Sequence, residues 1–357
     1  MAKRKPKSNR PQPQHKKQKK SQHDKRKRLQ CENPNRKKTR RAKVPLTGAM
    51  RKAVSEFAAL MDCRIAFGLA IVIAGMFLAD GRRTASAWFV ASGVEDDWDR
   101  FYDCLISVGR TSGKLAAAVL GLLVQNFAPG LGDRILLGMD DSPTQRYGRH
   151  VEGAGVHHNP TPGPADGEWL YGHNWVALAW LATHPLWGVI ALPLRSMLYV
   201  READVPKLAE KHDWEFRTKH QLGVELLTWF MQSIRALGLE VKVWLVVDGA
   251  YAARPFLLPV LEMGLVVVSR LRKDAYLNDL PPEDSHGNRI YGHNRISLAK
   301  RAGHRQGWQT ITYHCRGAEV TRQYKTFLAT SRLVSGQIRV VIIRFEDGGW
   351  APYFCTD

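Results

Sequence analysis

Read from the amino terminus, the chain changes its apolar pattern three times. Through residues 1–48, Lys, Arg, Gln, Asn and Pro follow one another with almost nothing apolar. Such a segment cannot offset the entropy of ordering and is predicted to be a disordered basic tail. From 49 to 130 the spacing turns helical. Met50 to Met61 is amphipathic, Ile65 to Ala79 is apolar throughout, and Thr84 to Ala91 is a third, short stretch. Ser92-Gly93-Val94-Glu95 has the spacing of a capping box, after which Trp98, Phe101, Tyr102, Leu105 and Ile106 fall on one helical face. These aromatics read as core rather than as a base-stacking platform. Two short helices around Gly93 have the outline of a helix-turn-helix, although any small helical bundle gives the same outline.

Between 131 and 270 short apolar runs take over. Ile135 to Met139 reads as a buried strand ended by Asp140 and Asp141, followed by a loop rich in Gly, Pro and His from Ser142 to Glu168. Trp175 to Leu181 and Trp187 to Leu194 read as two strands joined at His184-Pro185. A helix is expected from His220 to Leu237, with Leu222, Leu226, Leu227, Phe230 and Ile234 on one side. Strands at Val243 to Val247, ended by Asp248, and at Leu265 to Ser269 complete this part. Residues 271–307 read as polar loop, and 308–316, 319–329 and 338–346 as later strands. The whole predicts an α/β protein, a mixed sheet with helices packed on it.

Charge and thiols add to this outline. Residues 1–43 hold 19 of the 53 lysines and arginines against only Asp24 and Glu32, so most of the net charge of +20 belongs to the tail and not to the fold. Basic arms of this density bind nucleic acid by neutralising phosphates and releasing counterions; the plainer alternative is a solubilising tail. Five cysteines, far apart and without a C-x-x-C pair, fit reduced cytosolic thiols better than a disulfide framework or a zinc ribbon. Ile65 to Ala79 is 15 residues long and closed by Asp80, Arg82 and Arg83, short of the roughly 20 that span a membrane. No signal peptide follows the basic start.

The candidate chemistry lies in the acids at strand ends. One such Asp is more often a turn residue or helix cap. Two on adjacent strands can face one hard divalent ion in the crevice beyond the strand ends. Asp140 and Asp248 are the expected ligands, with Asp141 either substituting for Asp140 or capping a turn at Ser142-Pro143. Magnesium, or manganese in its place, would keep open positions there for water and phosphate oxygens. Arg270, Arg272 and Lys273 follow a strand that should lie beside Asp248, where they would position a phosphate backbone or simply be a solvated strand end. His157, His158, His173 and His184 match no standard zinc spacing, and His158 is taken as a phosphate contact. Gly109 to Lys114 is one residue short of a phosphate loop and ends in Leu115. Neither G-x-S-x-G nor H-E-x-x-H occurs.

Asp140-Asp141-Ser142-Pro143-Thr144, Tyr171-Gly172-His173-Asn174-Trp175, Asp248-Gly249-Ala250-Tyr251 and Ser269-Arg270-Leu271-Arg272 together resemble DDE-type insertion-sequence transposases of the IS4/IS701-like group, from about residue 49 onward. The segment from Gly81-Arg82-Arg83-Thr84 to Gly93 resembles their helical amino-terminal part. The resemblance implies a ribonuclease H-like core, an order that three strands, a helix and a strand also fit, with a β-rich insertion after the second acid. It implies divalent-metal cleavage and joining of DNA at element ends, Asp140 and Asp248 as catalytic metal ligands, and DNA contacts at Arg82, Arg83, His158, Arg270, Arg272 and Lys273. A third acid, a Glu on a helix in such proteins, has no counterpart: Glu319, Glu346 and Asp347 read as hairpin turns. The expectation is a truncated chain whose third acid would lie beyond Asp357.

The expected organisation is therefore a tail at 1–48, a helical DNA-binding domain at 49–130, a catalytic core at 131–270 and a β-rich insertion at 271–357. DNA, as element ends and target, is the expected partner, with a homodimer assembled on it. The expected location is the bacterial cytoplasm, on DNA and away from membranes. A noncatalytic DNA-binding regulator or inhibitor of transposition is the alternative, and a poorly folded remnant a third.

Overall fold

The computed structural model describes residues 47–357 except 82–83, 95, 128–131, 133, 149, 160–166, 283–288 and 316. The tail and its expected disorder therefore lie outside the described residues, apart from Thr47 and Gly48. Two compact units emerge: the described part of Met1–Val54 with Cys63–Leu105, and Ser55–Asp62 with Ile106–Asp357. No single helix among the described residues is long and apolar enough to cross a membrane.

Helix α1 (Gly48–Ala58) begins at the last residue of the expected tail. The first unit is otherwise built from α2 (Cys63–Leu78), α3 (Ala85–Ala91) and the start of α4 (Trp98–Arg110). Its core is Ile71, Val72, Phe89 and Phe101, with Trp88, Trp98 and Leu105 packed against it. Phe89 meets the rings of Phe101 and Tyr102 at 5.4 and 5.1 Å; Phe101, Trp98 and Leu105 belong to the core as their spacing suggests, whereas Tyr102 and Ile106 are exposed. Gly75 permits close packing of α2 on α3, because a Cβ there would lie 2.0 Å from the Trp88 carbonyl oxygen. Ser92 closes α3 instead of opening the next helix. Its hydroxyl donates back to the carbonyls of Trp88 and Phe89, and α4 starts only at Trp98.

The second unit is a mixed α/β structure on one 12-stranded mixed sheet, in the order β2-β3-β1-β5-β6-β12-β11-β10-β7-β8, with β4 paired to β3 and β9 to β10. In chain order these are β1 (Arg134–Gln145), β2 (Gly155–His158), β3 (Trp169–His184), β4 (Gly188–Tyr199), β5 (Lys242–Val247), β6 (Val266–Arg270), β7 (Leu277–Asn278), β8 (Arg295–Ile296), β9 (Gln309–Cys315), β10 (Ala318–Ser331), β11 (Gly336–Arg344) and β12 (Trp350–Cys355). The pairs β1–β5 and β5–β6 are parallel, and the other pairs are antiparallel. The helices are α5 (Ser112–Phe127), α6 (Val205–His212), α7 (Lys219–Ala236), α8 (Arg254–Glu262) and α9 (Leu298–Gly303).

Helix α7 occupies almost the range its apolar spacing predicts. Thr218 opens it with a capping box: its hydroxyl accepts from Gln221 N, and the Gln221 side chain accepts from Thr218 N, an arrangement worth about 1 kcal/mol. Leu222, Leu226, Leu227, Phe230 and Ile234 are buried in one core with Ile135, Leu137, Met139, Val176, Leu178, Trp180, Val243, Leu245 and Val247. The strands β3, β5 and β6, and β1 as far as Met139, bury alternate residues, as a sheet covered on one face should. On the other face Leu136 and Val246 remain 36% and 42% exposed.

Four expectations need correction. Strand β1 does not stop at Met139 but runs through Asp140 and Asp141 to Gln145, because β3 keeps pairing with it as far as Gln145↔Gly172. Ser142-Pro143 is consequently strand, not a turn for Asp141 to cap. The segment from Ser142 to Glu168 also contains β2, and 271–307 contains β7, β8 and α9. Finally, Trp350–Cys355 forms a strand, β12, between β11 and β6. The turn expected at Glu346 to Gly349 is the β11–β12 hairpin, where Phe345 N donates to Gly349 O.

The backbones of β3 and β1 meet closely at Gly172, where a Cβ would lie 2.1 Å from the Thr144 carbonyl oxygen. Gly172→Ala should therefore cost about 1–3 kcal/mol or more in urea unfolding. A loss below about 0.5 kcal/mol, typical of a free surface site, would contradict this packing.

Candidate metal centre and its surroundings

The register of two parallel strands builds the site. The pairing of β1 with β5 ends at Met139↔Val247, so the next residues are Asp140 and Asp248. Beyond this point β1 continues beside β3, with Asp140 opposite Ala177, whereas the chain leaves β5. Asp248 causes that departure: its Oδ1 accepts from Ala250 N at 3.0 Å and starts the single turn Gly249–Tyr251. Its carbonyl accepts from the buried Ser269 hydroxyl at 2.8 Å. Where paired strands part company in this way, a crevice opens at their carboxyl ends.

Alternation then separates the three acids. Ile135, Leu137 and Met139 point to the core under α7, and Asp141 is next on that face. Leu136, Gly138 and Asp140 belong to the opposite face. In β5, Val243, Leu245 and Val247 are buried, which leaves Trp244, Val246 and then Asp248 on the face of Asp140. Both Asp140 and Asp248 are exposed. Asp141 is held on the helix side, where the Lys219 ammonium forms an ion pair with its Oδ2 and Asn174 Nδ2 donates to the same oxygen at 3.2 Å.

The electrostatics agree with this grouping. Partial desolvation pushes the Asp140 carboxyl above its ordinary range, and the charges of Asp141 and Asp248 push it further, while the Asp141 backbone N–H and Lys219 pull it down. Tyr251 is fully buried, and its hydroxyl has no hydrogen-bond partner. Burial, followed by the fields of Asp141, Asp140 and Asp248, raises this phenol, so it stays protonated. The desolvation that leads both shifts disfavours charge of either sign; it is the added fields of the neighbouring acids that favour a cation here. Asp140 and Asp248 present carboxylate oxygens with no ion pair of their own among the described residues, and those are hard donors of the kind magnesium and manganese take. Among the described residues no group of three or more His, Cys, Asp or Glu is placed to hold a metal.

The expected DNA contacts divide. Arg270 and Arg272 line a groove of about 420 Å³ that begins at Gly249, directly after Asp248, together with Arg254 and Arg332. Within it Arg272 is chelated by Asp274, with two bonds of 3.0 Å, and Arg254 donates to the Arg332 carbonyl and Ser335 Oγ. Arg270 is left facing the groove. Lys273 sits over the Trp350 ring, 4.9 Å from its centroid. His158 is not brought to the acids: it lies on β2, two strands from β1, 3.8 Å from Glu168 Oε1. Arg82 and Arg83 lie outside the described residues.

Lys219, Asn174 and Tyr251 carried no assigned role in the sequence. Lys219 had left a signal there, because a cation in the first turn of a helix opposes the helix dipole and needs an anion nearby. Asn174 and Tyr251 fall within short motifs that repay attention, but nothing in their spacing reveals which face of the sheet they occupy.

With this geometry established, comparison with known proteins gave one match. The sequence model of a family described as DDE superfamily endonuclease matches residues 63–332. No curated protein matches the chain.

The position of Lys219 makes a prediction about the acids. Its charge lowers the Asp140 carboxyl, so Lys219→Met should raise that group further and cost about 1–2 kcal/mol by stranding Asp141. A proton on Asp140 competes with a cation. Binding of Mn²⁺, followed by calorimetry as pH is lowered from neutrality, should weaken as pH falls through the raised carboxyl range, and the variant's curve should move to higher pH. Superimposable curves would refute the coupling.

Proposed function

Since the chain belongs to the DDE superfamily endonucleases, we propose that it is a transposase that cleaves and joins DNA phosphodiesters at insertion-sequence ends with a divalent cation. The observation that carries this reading is the placement of Asp140 and Asp248, one residue beyond the last pair of adjacent parallel strands and on the same open face. The order β4-β3-β1-β5-β6, three antiparallel strands followed by two parallel ones, supports a ribonuclease H-like core. We place that core at 131–270, a DNA-binding helical part at 49–130, a basic tail at 1–48 and the β-rich region at 271–357.

Asp140 and Asp248 would hold magnesium or manganese; Asp141, paired with Lys219 on the opposite face of the sheet, is not placed to substitute for Asp140. The bound ion would polarise the phosphodiester and supply a nucleophilic oxygen. The chain's own groups do the positioning. The Asp248 side chain, fixed by Ala250 N, presents its second oxygen to the crevice. Arg270 contacts the phosphate backbone entering from the groove, with Arg272 and Lys273 beside it and His158, Arg82 and Arg83 as more distant contacts. Lys219 offsets the charge of Asp141, which otherwise adds to the negative field of the two ligands. The protonated Tyr251, packed under them, keeps water out from below. DNA in the form of element ends and target is the partner, bound by a homodimer in a bacterial cytoplasm.

A second reading has its own support. Only two carboxylates share the open face among the described residues, and Asp141 is engaged elsewhere, which suits a DNA-binding regulator of transposition.

Supercoiled DNA carrying element ends, incubated with Mg²⁺, separates these readings. The endonuclease reading expects nicking that falls at least about 100-fold, about 2.7 kcal/mol of transition-state stabilisation, in both Asp140→Asn and Asp248→Asn. Tight binding without nicking in the unaltered chain would favour the regulator. Equal nicking by all three proteins would remove both aspartates from the mechanism.

A further inference from the structure

A second basic groove, of about 660 Å³, lies among β8, α9 and β10 and is lined by Arg295, Lys300, Arg301, His304 and Lys325 against one acid, Asp279. That acid is committed: Asn294 N donates to its Oδ1 and Asn294 Nδ2 to its Oδ2, at 3.0 and 2.7 Å. At the back of the groove the Lys325 side chain is buried at 8% exposure. Its ammonium donates to the carbonyls of Arg301 and His304 at 3.1 and 2.6 Å and lies 4.6 Å from the centroid of the Trp308 ring. The guanidinium of Arg344 lies over the same ring at 4.0 Å.

Two cations on one indole, one of them nearly dry, form a costly arrangement. Lys325 does cap the carbonyl end of α9, which accounts for its hydrogen bonds but not for its charge. Among the described residues no ion pair involves Lys300, Arg301, Lys325 or Arg344. Burial and the fields of Arg344 and Arg301 push Lys325 below the ordinary lysine range, the response of a site that lacks an anion. Lys300 and Arg301 are exposed at its mouth, and Arg301 rests on Phe327 at 5.0 Å, so its guanidinium is partly preorganised.

We propose that this groove is a second phosphodiester site, with Lys300 and Arg301 as direct contacts to the DNA backbone and Lys325 and Arg344 as the fixed charge behind them. The inference rests on the DNA-cutting reading above. Strand β10 is four strands from β5 in the sheet, and unbroken register carries the face of Lys325 through Ile342, Val340, Phe354 and Ser269 to Val247 and Met139, so the groove opens on the helix-covered face, opposite Asp140 and Asp248. A duplex held there makes a second contact, separate from the one that crosses the acids.

The test uses the full chain and a random-sequence 30-base-pair duplex without metal. Lysine acetylation read by mass spectrometry should show Lys300 protected by duplex but not by inorganic phosphate at equal phosphate concentration. The double variant Lys300→Ala/Arg301→Ala, checked for an unchanged unfolding midpoint, should bind duplex about tenfold more weakly and lower the slope of log affinity against log salt by about two. Equal protection by inorganic phosphate would make this a small-anion pocket and overturn the proposal. So would an unprotected Lys300 or an unchanged slope. Mg²⁺-dependent nicking by the same unaltered protein keeps the two readings apart. Nicking without protection sinks only the groove, and protection without nicking sinks only the endonuclease.

Discussion

The in-register parallel pairing of β1 with β5, buried under α7, is the constraint on which the rest depends. It brings residues more than a hundred positions apart in sequence to the same height in the sheet. Because side chains alternate along a strand, it also decides which face each acid takes. A slip of one residue in β5 would send Asp248 to the helix side and Val247 to the open one. The apolar side chains that prevent such a slip, Leu137, Met139, Leu245 and Val247 against Leu222, Leu226 and Phe256, thus fix the carboxylates as firmly as any contact at the site itself. Gly223 belongs to this group: a Cβ there would press on Met139 and Phe256 at 3.0 Å, one residue before Asp140.

Adjacent aspartates in β1 consequently have different lives. Asp140 keeps an unpaired carboxyl among like charges, a condition that is unfavourable until a cation arrives. Asp141 is neutralised on the other side of the sheet by Lys219 and steadied by Asn174. The sheet separates the two roles by little more than the thickness of its backbone. Family membership agrees with a nuclease built in this manner, and the geometry explains why a DD pair need not mean two ligands.

Much of this was legible in the sequence for a simple reason: the apolar runs Ile135 to Met139 and Val243 to Val247 are buried and bounded, and the 3.6-residue spacing from Leu222 to Ile234 is unbroken. What escaped notice depended on partners far away. Nothing local in Asp140 to Gln145 says strand, with Pro143 in the middle, until β3 is alongside to pair with it. Trp350–Cys355 was hidden by Pro352, a residue normally kept out of central strands. It is tolerated because the pairing with β6 begins only at Tyr353, while the Pro352 carbonyl still accepts from Leu271 N. The role of Lys219 required knowing which face Asp141 takes, which is a property of the sheet and not of either residue.

The position of β12 has a consequence for how the sheet comes together. The hairpins β3–β4, β9–β10, β10–β11 and β11–β12 join neighbours in sequence, and β5 and β6 are linked by a short crossover through α8. The half that carries the acids is joined to the half that carries the second basic groove by the pairing of Tyr353, Phe354 and Cys355 with Arg270, Ser269 and Val268, flanked by the bonds from Leu271 N to Pro352 O and from Arg254 to Arg332 and Ser335. Closing that seam brings together residues about 80 positions apart, an entropic cost that no local turn can offset in advance. The two halves share one apolar core across that seam, so each completes the burial of the other. The register set at that seam also fixes the second basic groove on the helix-covered face, while the acids open on the other.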